Sequence, residues 1–159
     1  MNSSRSTNFM SPKAGAESLF REAVLDLSSE APFARLMVNS GRLSLPCTLD
    51  GAALNGPDTE DLPAMSRPGA AMPDAPLQDG WLLEHTGGRF VLLALNCRAG
   101  DIQGADLIEL EASGALADRY LGSMTQAIYL IRPDQHIAAR WAGYDAEAVS
   151  AALARAKGH

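Results

Sequence analysis

The sequence predicts an α/β domain built on a mixed sheet with flanking helices, preceded by an N-terminal helix and an extended arm. Its 159 residues are 47% hydrophobic, which is enough for one globular core. Residues 90–95 form an unbroken apolar run, as a strand buried on both faces requires. From Trp81 onward, strand-like runs alternate with helical patterns, which is typical of layered α/β structures.

The N-terminal part predicts one helix after an extended arm. The first dozen residues are polar and show no periodicity, so we expect an arm there. Ser11 and Pro12 are a typical helix start, and an apolar face then continues to about Ser29. That face consists of Leu19, Phe20, Ala23, Val24 and Leu27.

The following segment predicts little regular structure. Residues 32–49 suggest one or two short extended pieces. Residues 50–76 are rich in Pro, Gly and Ala and have little periodicity, so we expect an irregular segment that is exposed or lies over a surface. We therefore assign the arm, helix and linker to residues 1–76 and the sheet domain to residues 77–159.

The second half predicts the element order of a thioredoxin-like fold. The segments "GWLLEH" and "RFVLLAL" flank Thr86-Gly87-Gly88, which predicts a hairpin with a glycine turn. After "NCRAGDIQGA" come a strand, "DLIELE", and a short helix for which Ser113 is a possible cap. The stretch "AIYLIRPDQHIAARW" supplies two further strands, and Asp145 caps a closing helix. This order predicts a buried parallel pair, an antiparallel hairpin and a closing helix.

The composition argues against nucleic acid and membranes as partners. The net charge is −6 and Lys and Arg form no block, whereas both partners attract clustered positive charge. No apolar run reaches the roughly 18 residues of a membrane helix, and the opening "MNSSRSTNFMSPKAG" lacks the apolar core of a secretory signal. Cys47 and Cys97 lie far apart without a CxxC pair, which favours free thiols in the cytoplasm.

Cys97 is the first candidate for chemistry. It follows the buried strand, at the end where open α/β sheets bind ligands and where thioredoxin-like enzymes carry the attacking sulfur. A resolving thiol would stand three residues later, but that position is Gly100. The segment "MTQAIYL" also lacks the Pro that precedes the third core strand in thioredoxin-like active sites. The sequence therefore favours a redox-silent module and leaves Cys97 as a minor candidate.

Asp134 and His136 are the second candidate, because on a strand their side chains would share one face. Arg132-Pro133-Asp134-Gln135, however, fits a type I turn with Pro preset at its second position. The chain has no G-x-S-x-G elbow to supply a nucleophile for a catalytic triad. A turn role is therefore favoured for the pair.

No other motif predicts a catalytic residue, a cofactor-binding residue or a metal ligand. The phosphate loops GxGxxG and GxxxxGK[ST] are absent. The acidic cluster of Asp58, Glu60 and Asp61 has no spacing suited to calcium or to paired-carboxylate catalysis. We interpret that cluster as a solvated loop.

Several segments resemble the C-terminal region of FAD-dependent aromatic-ring monooxygenases, of the phenol and 3-(3-hydroxyphenyl)propionate hydroxylase type. In the family's order, and over nearly the whole chain, they are "RSTNFMSPK", "FREAVLDL", "FARLMVNSGRLSLP", "RPGAAMPDAPL" and "YLIRPDQHIAARW". The last is the most specific, because the family's terminal hairpin usually has the form L-[VIL]-R-P-D-x-H-[VI]-x-x-R. The matching residues are Arg132, Pro133, Asp134, His136 and Arg140.

The resemblance implies a thioredoxin-like domain without redox cysteines that packs on a flavin-binding part and helps to build a dimer. It places the catalytic apparatus upstream, in a dinucleotide fold whose GxGxxG and GD motifs are missing here. We therefore expect a C-terminal fragment or a detached homologue that holds no cofactor itself. The suspected parent would use FAD and NAD(P)H to insert one oxygen atom into an aromatic substrate. The implied partners are a second copy and the parent's flavin-binding domain.

One segment departs from the family. "NCRAGDIQGA" is barely the dozen residues that a parallel crossover requires, whereas family members commonly carry a longer helical crossover there. We expect its helix to be reduced to a turn, which would leave an apolar sheet face for a partner to cover.

Two other functions remain open. One is a stand-alone module that binds a small aromatic ligand through the proline-rich segment and Trp81 or Trp141. The other is a thiol-dependent enzyme centred on Cys97.

Overall fold

A computed structural model of the protein describes residues 11–12, 15–31, 47–59 and 61–159. The chain divides into two compact units, residues 1–45 and residues 46–159. The arm was predicted for the first dozen residues and the short extended pieces for residues 32–49; of these, residues 1–10 and 32–46 lie outside the described residues.

The first unit contains the helix α1 (Ala16–Glu30), which confirms the helix predicted from the apolar periodicity. It begins at Ala16 rather than at Ser11, and Gly15 at its start provides no side-chain cap. No α1 residue is buried, and Leu19 and Phe20 are 68% and 66% exposed. Since isolated helices of this length are marginal in water, α1 needs packing beyond its own hydrogen bonds to be stable.

The described residues of the second unit form a short hairpin, a four-stranded sheet and two helices. Its strands are β1 (Pro76–Leu77), β2 (Gly80–Trp81), β3 (Val91–Leu95), β4 (Asp106–Leu110), β5 (Ala127–Ile131) and β6 (Ile137–Trp141). Its helices are α2 (Gly114–Tyr120) and α3 (Ala146–Ala156), and two 3-10 turns span Ala64–Ser66 and Leu82–His85. Asp145 caps α3 as predicted, whereas Ser113 precedes α2 without a capping hydrogen bond.

The sheet has the strand order β4-β3-β5-β6. β3 and β4 are parallel, with Val91 opposite Asp106, and β5 runs antiparallel to both β3 and β6. All five β3 residues are buried, because the strand has a neighbour on each edge and a covering layer on each face. This order and orientation confirm the predicted thioredoxin-like fold.

The two faces of the sheet are covered by different elements. Leu116 and Tyr120 of α2 pack in the core on one face. Val149 of α3 packs on the other face together with Ile102 and Ala99, which belong to the connection between β3 and β4. The expectation of an uncovered apolar face was therefore wrong.

The connection itself agrees with expectation, because residues 96–105 contain no helix. Ala99 and Ile102 nevertheless lie on the sheet, and Leu92 and Ala94 beneath them are 1% and 0% exposed. An extended connection of this length can therefore cover a strand pair without forming a helix.

The predicted hairpin around Thr86-Gly87-Gly88 was wrong. β2 pairs with β1, and Leu82–His85 turns away as a 3-10 helix before β3 begins. The physical reason is that β4 and β5 already occupy both edges of β3, so a hairpin partner has no free edge to pair with. The glycine turn is real, since Gly87 and Gly88 have φ angles of 94° and 71°.

The irregular segment that precedes β1 lies along the outer edge of β6. Gly56 N–H donates to Ala138 O at 2.7 Å, and Gly69 N–H donates to Ile137 O at 2.7 Å. These bonds pair the backbone groups that an edge strand otherwise leaves open. The compact unit therefore starts at residue 46, while the division into domains at residue 76 stays a prediction.

A buried guanidinium fixes this segment to the sheet. The Arg140 side chain is 2% exposed, and its Nε donates to the carboxylate of Asp58. Its Nη1 donates to Pro63 O at 2.6 Å and lies 3.4 Å from Ser66 Oγ. Asp58 lies in an exposed loop, as expected, with its side chain 42% accessible, but it also pairs with a buried cation, which the sequence did not indicate.

Two tyrosines continue the network into the core. Tyr129 Oη lies 3.1 Å from Ser66 Oγ and donates to Tyr120 O, and Tyr120 Oη donates to Pro73 O at 2.5 Å. Burial raises the pKa of both hydroxyls, so they stay protonated and act as donors. The network therefore joins β6, β5, α2 and the irregular segment.

Replacing Arg140 with Met should destabilise the protein strongly, because Pro63 O and Ser66 Oγ lose a buried charged donor and Asp58 loses its ion-pair partner. We expect a loss on the order of 3 kcal/mol in the free energy of unfolding, measured by urea denaturation. Arg98→Met is the matched control, because the Arg98 side chain is 92% exposed and should contribute little. Equal losses for the two variants would contradict the anchoring role of Arg140.

Candidate functional site

A cleft of about 720 Å³ opens at the carboxyl ends of the parallel strands β3 and β4. Residues 96–98, residues 109–113 and Gln78 line it. Open α/β sheets bind ligands at this end, so the cleft is the place to test for chemistry.

Asn96 shapes the cleft, although the sequence analysis did not single it out. Its φ is 56°, a left-handed conformation that Asn tolerates better than most residues. Its side chain donates to Thr125 O at 3.0 Å and accepts from Ala112 N–H at 2.7 Å. Asn96 therefore ties the ends of β3 and β4 to the start of β5. An Asn directly after a buried strand was the signal that could have found it.

Cys97 lies in the cleft wall and is half-buried. Its Sγ donates to Ala127 O at 3.7 Å. Burial raises the pKa of its thiol, and the nearby Glu109 carboxylate adds to that increase. A raised pKa keeps sulfur in the unreactive thiol form, whereas a nucleophile needs thiolate. Cys47, the other cysteine, is a free exposed thiol.

Glu109 is already engaged within the cleft. Its carboxylate accepts from Ala99 N–H at 3.0 Å and pairs with the guanidinium of Arg98. These two donors, Ala99 N–H first, lower the pKa of Glu109, so it stays ionised and is unsuited to act as a general acid at neutral pH. The cleft therefore holds a protonated thiol beside an ion pair.

The alkylation rate of Cys97 tests this environment. In a Cys47→Ser variant, we expect iodoacetamide to modify Cys97 slowly at pH 7. The rate should keep rising with pH beyond the ordinary thiol pKa of about 8.5, because burial disfavours the thiolate. The reverse variant, Cys97→Ser, provides the exposed thiol of Cys47 for comparison. Labelling of Cys97 that is fast at pH 7 and flat with pH would instead indicate an activated thiol.

The structure does not bring the predicted residues into one site. β3 and β5 are antiparallel, with Leu95 opposite Ala127 and Val91 opposite Ile131. The turn after Ile131 is therefore at the opposite end of the sheet from Cys97.

Asp134 and His136 close the turn between β5 and β6. Asp134 Oδ1 accepts from His136 N–H at 3.2 Å, and Asp134 Oδ2 accepts from Arg132 Nη2 at 2.7 Å. The His136 Nδ1 atom lies 3.5 Å from Asp134 Oδ1. Gln135 N–H donates to Arg132 O at 2.9 Å, as a type I turn beginning at Arg132 requires. The Asp134 carboxylate thus stabilises the turn by accepting hydrogen bonds from its neighbours.

Substitution of Asp134 separates the turn role from a catalytic role. We expect Asp134→Ala to lose about 1 kcal/mol of unfolding free energy, because the His136 N–H loses its acceptor. Asp134→Asn keeps an oxygen at that position and should lose clearly less. Urea denaturation of both variants gives the comparison. Equal stability of the Ala variant and the unsubstituted protein would show that the carboxylate does not support the turn.

Among the described residues there is neither a metal-binding cluster nor a helix suited to span a membrane. Within residues 15–31, 47–59 and 61–159, no three His, Cys, Asp or Glu side chains cluster so as to hold a metal ion. Over the same part of the chain, no helix is long and apolar enough to cross a membrane.

Comparisons with known proteins find similarity in structure alone. No family model and no curated protein matches the sequence. The substrate-free rebeccamycin biosynthetic enzyme RebC is similar at a TM-score of 0.55 and 20% identity, over 93% of this chain and 29% of that protein. The flavin-dependent monooxygenase PieE, solved with FAD and substrate, is also similar, with a TM-score of 0.52 and 18% identity. The match covers 96% of this chain and 31% of the PieE chain.

A third similar structure is the ternary complex of aklavinone-11 hydroxylase with FAD and aklavinone. Its TM-score is 0.53 and its identity 19%, over 72% of this chain and 27% of that protein. At these identities the likeness establishes a shared fold. The chain spans less than a third of the length of each of these flavoenzymes.

Proposed function

We propose that this chain is a non-catalytic accessory domain, of the C-terminal type, of a flavin-dependent aromatic hydroxylase. The parent inserts one oxygen atom into an aromatic substrate with FAD and NAD(P)H, and this chain binds neither cofactor. One observation carries the proposal: the fold covers 93% of this chain but only 29% of RebC, one of several flavoenzymes that match it. A domain that forms a minor part of such enzymes is suited to a supporting role.

The cleft supports the same proposal. Its thiol has a raised pKa, and Gly100 stands where a resolving cysteine would be. The carboxylate of Glu109, which lies near the thiol, is held by Arg98 and by Ala99 N–H. The end of the sheet that carries chemistry in thioredoxin-like enzymes is therefore occupied by groups that stabilise the fold.

In this proposal the chain acts by packing on the flavin-binding domain and by pairing with a second copy. The apolar face of α1 offers a surface for packing, because Leu19 and Phe20 are 68% and 66% exposed. Large exposed apolar side chains in one patch usually mark an interface. The free thiols of Cys47 and Cys97 agree with a cytoplasmic location.

A module for small aromatic ligands is the second candidate, favoured by one observation. Trp81 is 48% exposed and close in sequence to Gln78 of the cleft wall. Trp141, the other candidate ring, is half-buried against the core clusters and offers less surface. A single exposed ring is a weak basis, because scattered exposed apolar residues are common on monomers.

Affinity purification of the tagged chain from its native host tests the proposal. We expect one flavoprotein to co-purify, identified by mass spectrometry, with bound FAD and with NAD(P)H oxidation that aromatic substrates stimulate. The chain alone should leave FAD fluorescence unchanged. Recovery without any flavoprotein would contradict the proposal. Saturable quenching of tryptophan fluorescence by phenolic acids, lost in Trp81→Phe, would then favour the ligand-binding module.

A further inference from the structure

Among the described residues, the two edges of the four-stranded sheet have different hydrogen-bond partners. The irregular segment bonds to the outer edge of β6, through Gly56 and Gly69 among others. At the other end of the strand order, no described strand pairs with the outer edge of β4. Natural sheets commonly cover or charge such an edge, because its free N–H and C=O groups are a template for another strand.

The hydrogen-bond pattern identifies which β4 groups face outward. Asp106 N–H donates to Phe90 O at 2.9 Å, and Leu110 O accepts from Asn96 N–H at 3.0 Å. Since backbone groups alternate in direction along a strand, the N–H and C=O groups of Leu107 and Glu109 point away from β3. These two residues form a short, regular edge of outward donors and acceptors.

The charges along β4 do not protect the edge. Asp106 is neutralised by Arg89, whose Nε lies 2.5 Å from its carboxylate. Glu109 is neutralised by Arg98 in the same way. An edge strand bearing unpaired carboxylates would repel a second copy, whereas these internal ion pairs remove most of that repulsion.

We propose that two copies of this chain join through antiparallel pairing of β4 with β4, about a two-fold axis at Ile108, to form one continuous sheet. The inference rests on the self-association part of the proposed function and specifies its surface. In this register Leu107 of one copy faces Glu109 of the other, and each pair exchanges two backbone hydrogen bonds. Ile108 faces its own counterpart in a non-hydrogen-bonded pair, where apolar side chains approach most closely.

The alternative registers are less favourable. An axis at Glu109 would place two carboxylates opposite each other, which destabilises a strand pair. An axis at Leu107 would place Asp106 against Ile108 and move Glu109 beyond the paired region. Only the axis at Ile108 uses both outward-facing residues and joins two apolar side chains. Because the edge is five residues long, we expect a weak dimer that forms at high protein concentration.

Cysteine cross-linking tests the register directly. In a Cys47→Ser, Cys97→Ser background, Ile108→Cys should form a disulfide-linked dimer with oxidised glutathione, because the paired Cα atoms lie about 4.5 Å apart. Leu110→Cys is the control. Its two copies would be on the order of 13 Å apart along the strands and should stay uncross-linked. Equal cross-linking of both variants, or of neither, would overturn the register.

Sedimentation of two Leu107 variants tests the edge without cross-linking. Leu107→Pro removes an outward N–H that β3 does not use, so it should abolish the dimer, with circular dichroism checking that the sheet persists. Leu107→Ala removes the same packing but keeps the N–H, and should still dimerise. A dimer that survives Leu107→Pro would overturn this inference and leave self-association through another surface. A chain that is monomeric at the highest concentration would overturn pairing altogether, while co-purification of a flavoprotein tests the packing role separately.

Discussion

The buried guanidinium of Arg140 is the interaction on which much of the second unit depends. A charge at 2% exposure is tolerated only when its donors are satisfied, and Asp58, Pro63 O and Ser66 Oγ satisfy them. Those three acceptors belong to the irregular segment, so pairing the charge also fixes the course of that segment. The same segment then covers the edge of β6 with backbone hydrogen bonds. The contacts of the Arg140 side chain thus help to hold a Pro- and Gly-rich segment along the edge of the sheet.

The hairpin that resembles the hydroxylase family makes stabilising contacts at its turn and through Arg140. At its turn, Asp134 accepts from His136 N–H, and Gln135 Nε2 donates to Leu83 O at 2.9 Å, which ties the turn to a 3-10 helix. At its far end, Arg140 holds the irregular segment. The turn lies at the opposite end of the sheet from Cys97, whereas Ala127, at the start of the hairpin, accepts from the Cys97 thiol. The contacts of these motif residues are thus ones that stabilise the fold.

The sequence predicted correctly the elements that depend on neighbouring residues or on a continuous apolar run. The buried run of β3, the turn between β5 and β6 and the Asp145 cap all follow from residues that are close in sequence. The failures needed knowledge of distant partners. The Thr86-Gly87-Gly88 hairpin failed because β3 had both edges occupied, and the role of Asp58 depended on Arg140, far along the chain. Backbone pairing with β6 also has no side-chain signature, so the course of the irregular segment could not be predicted.

The short connection after β3 helps to explain why Cys97 has a raised thiol pKa at the end of this sheet. In thiol enzymes of this fold, the attacking sulfur lies at a helix N-terminus, where the dipole and free N–H groups lower its pKa. Residues 96–105 form no helix, so Cys97 experiences burial without that compensation, and its pKa rises. The core stays covered without this helix, because Ala99 and Ile102 of the extended connection pack on the strands. The extended connection therefore keeps the core covered while it provides no helix N-terminus to lower the pKa of Cys97.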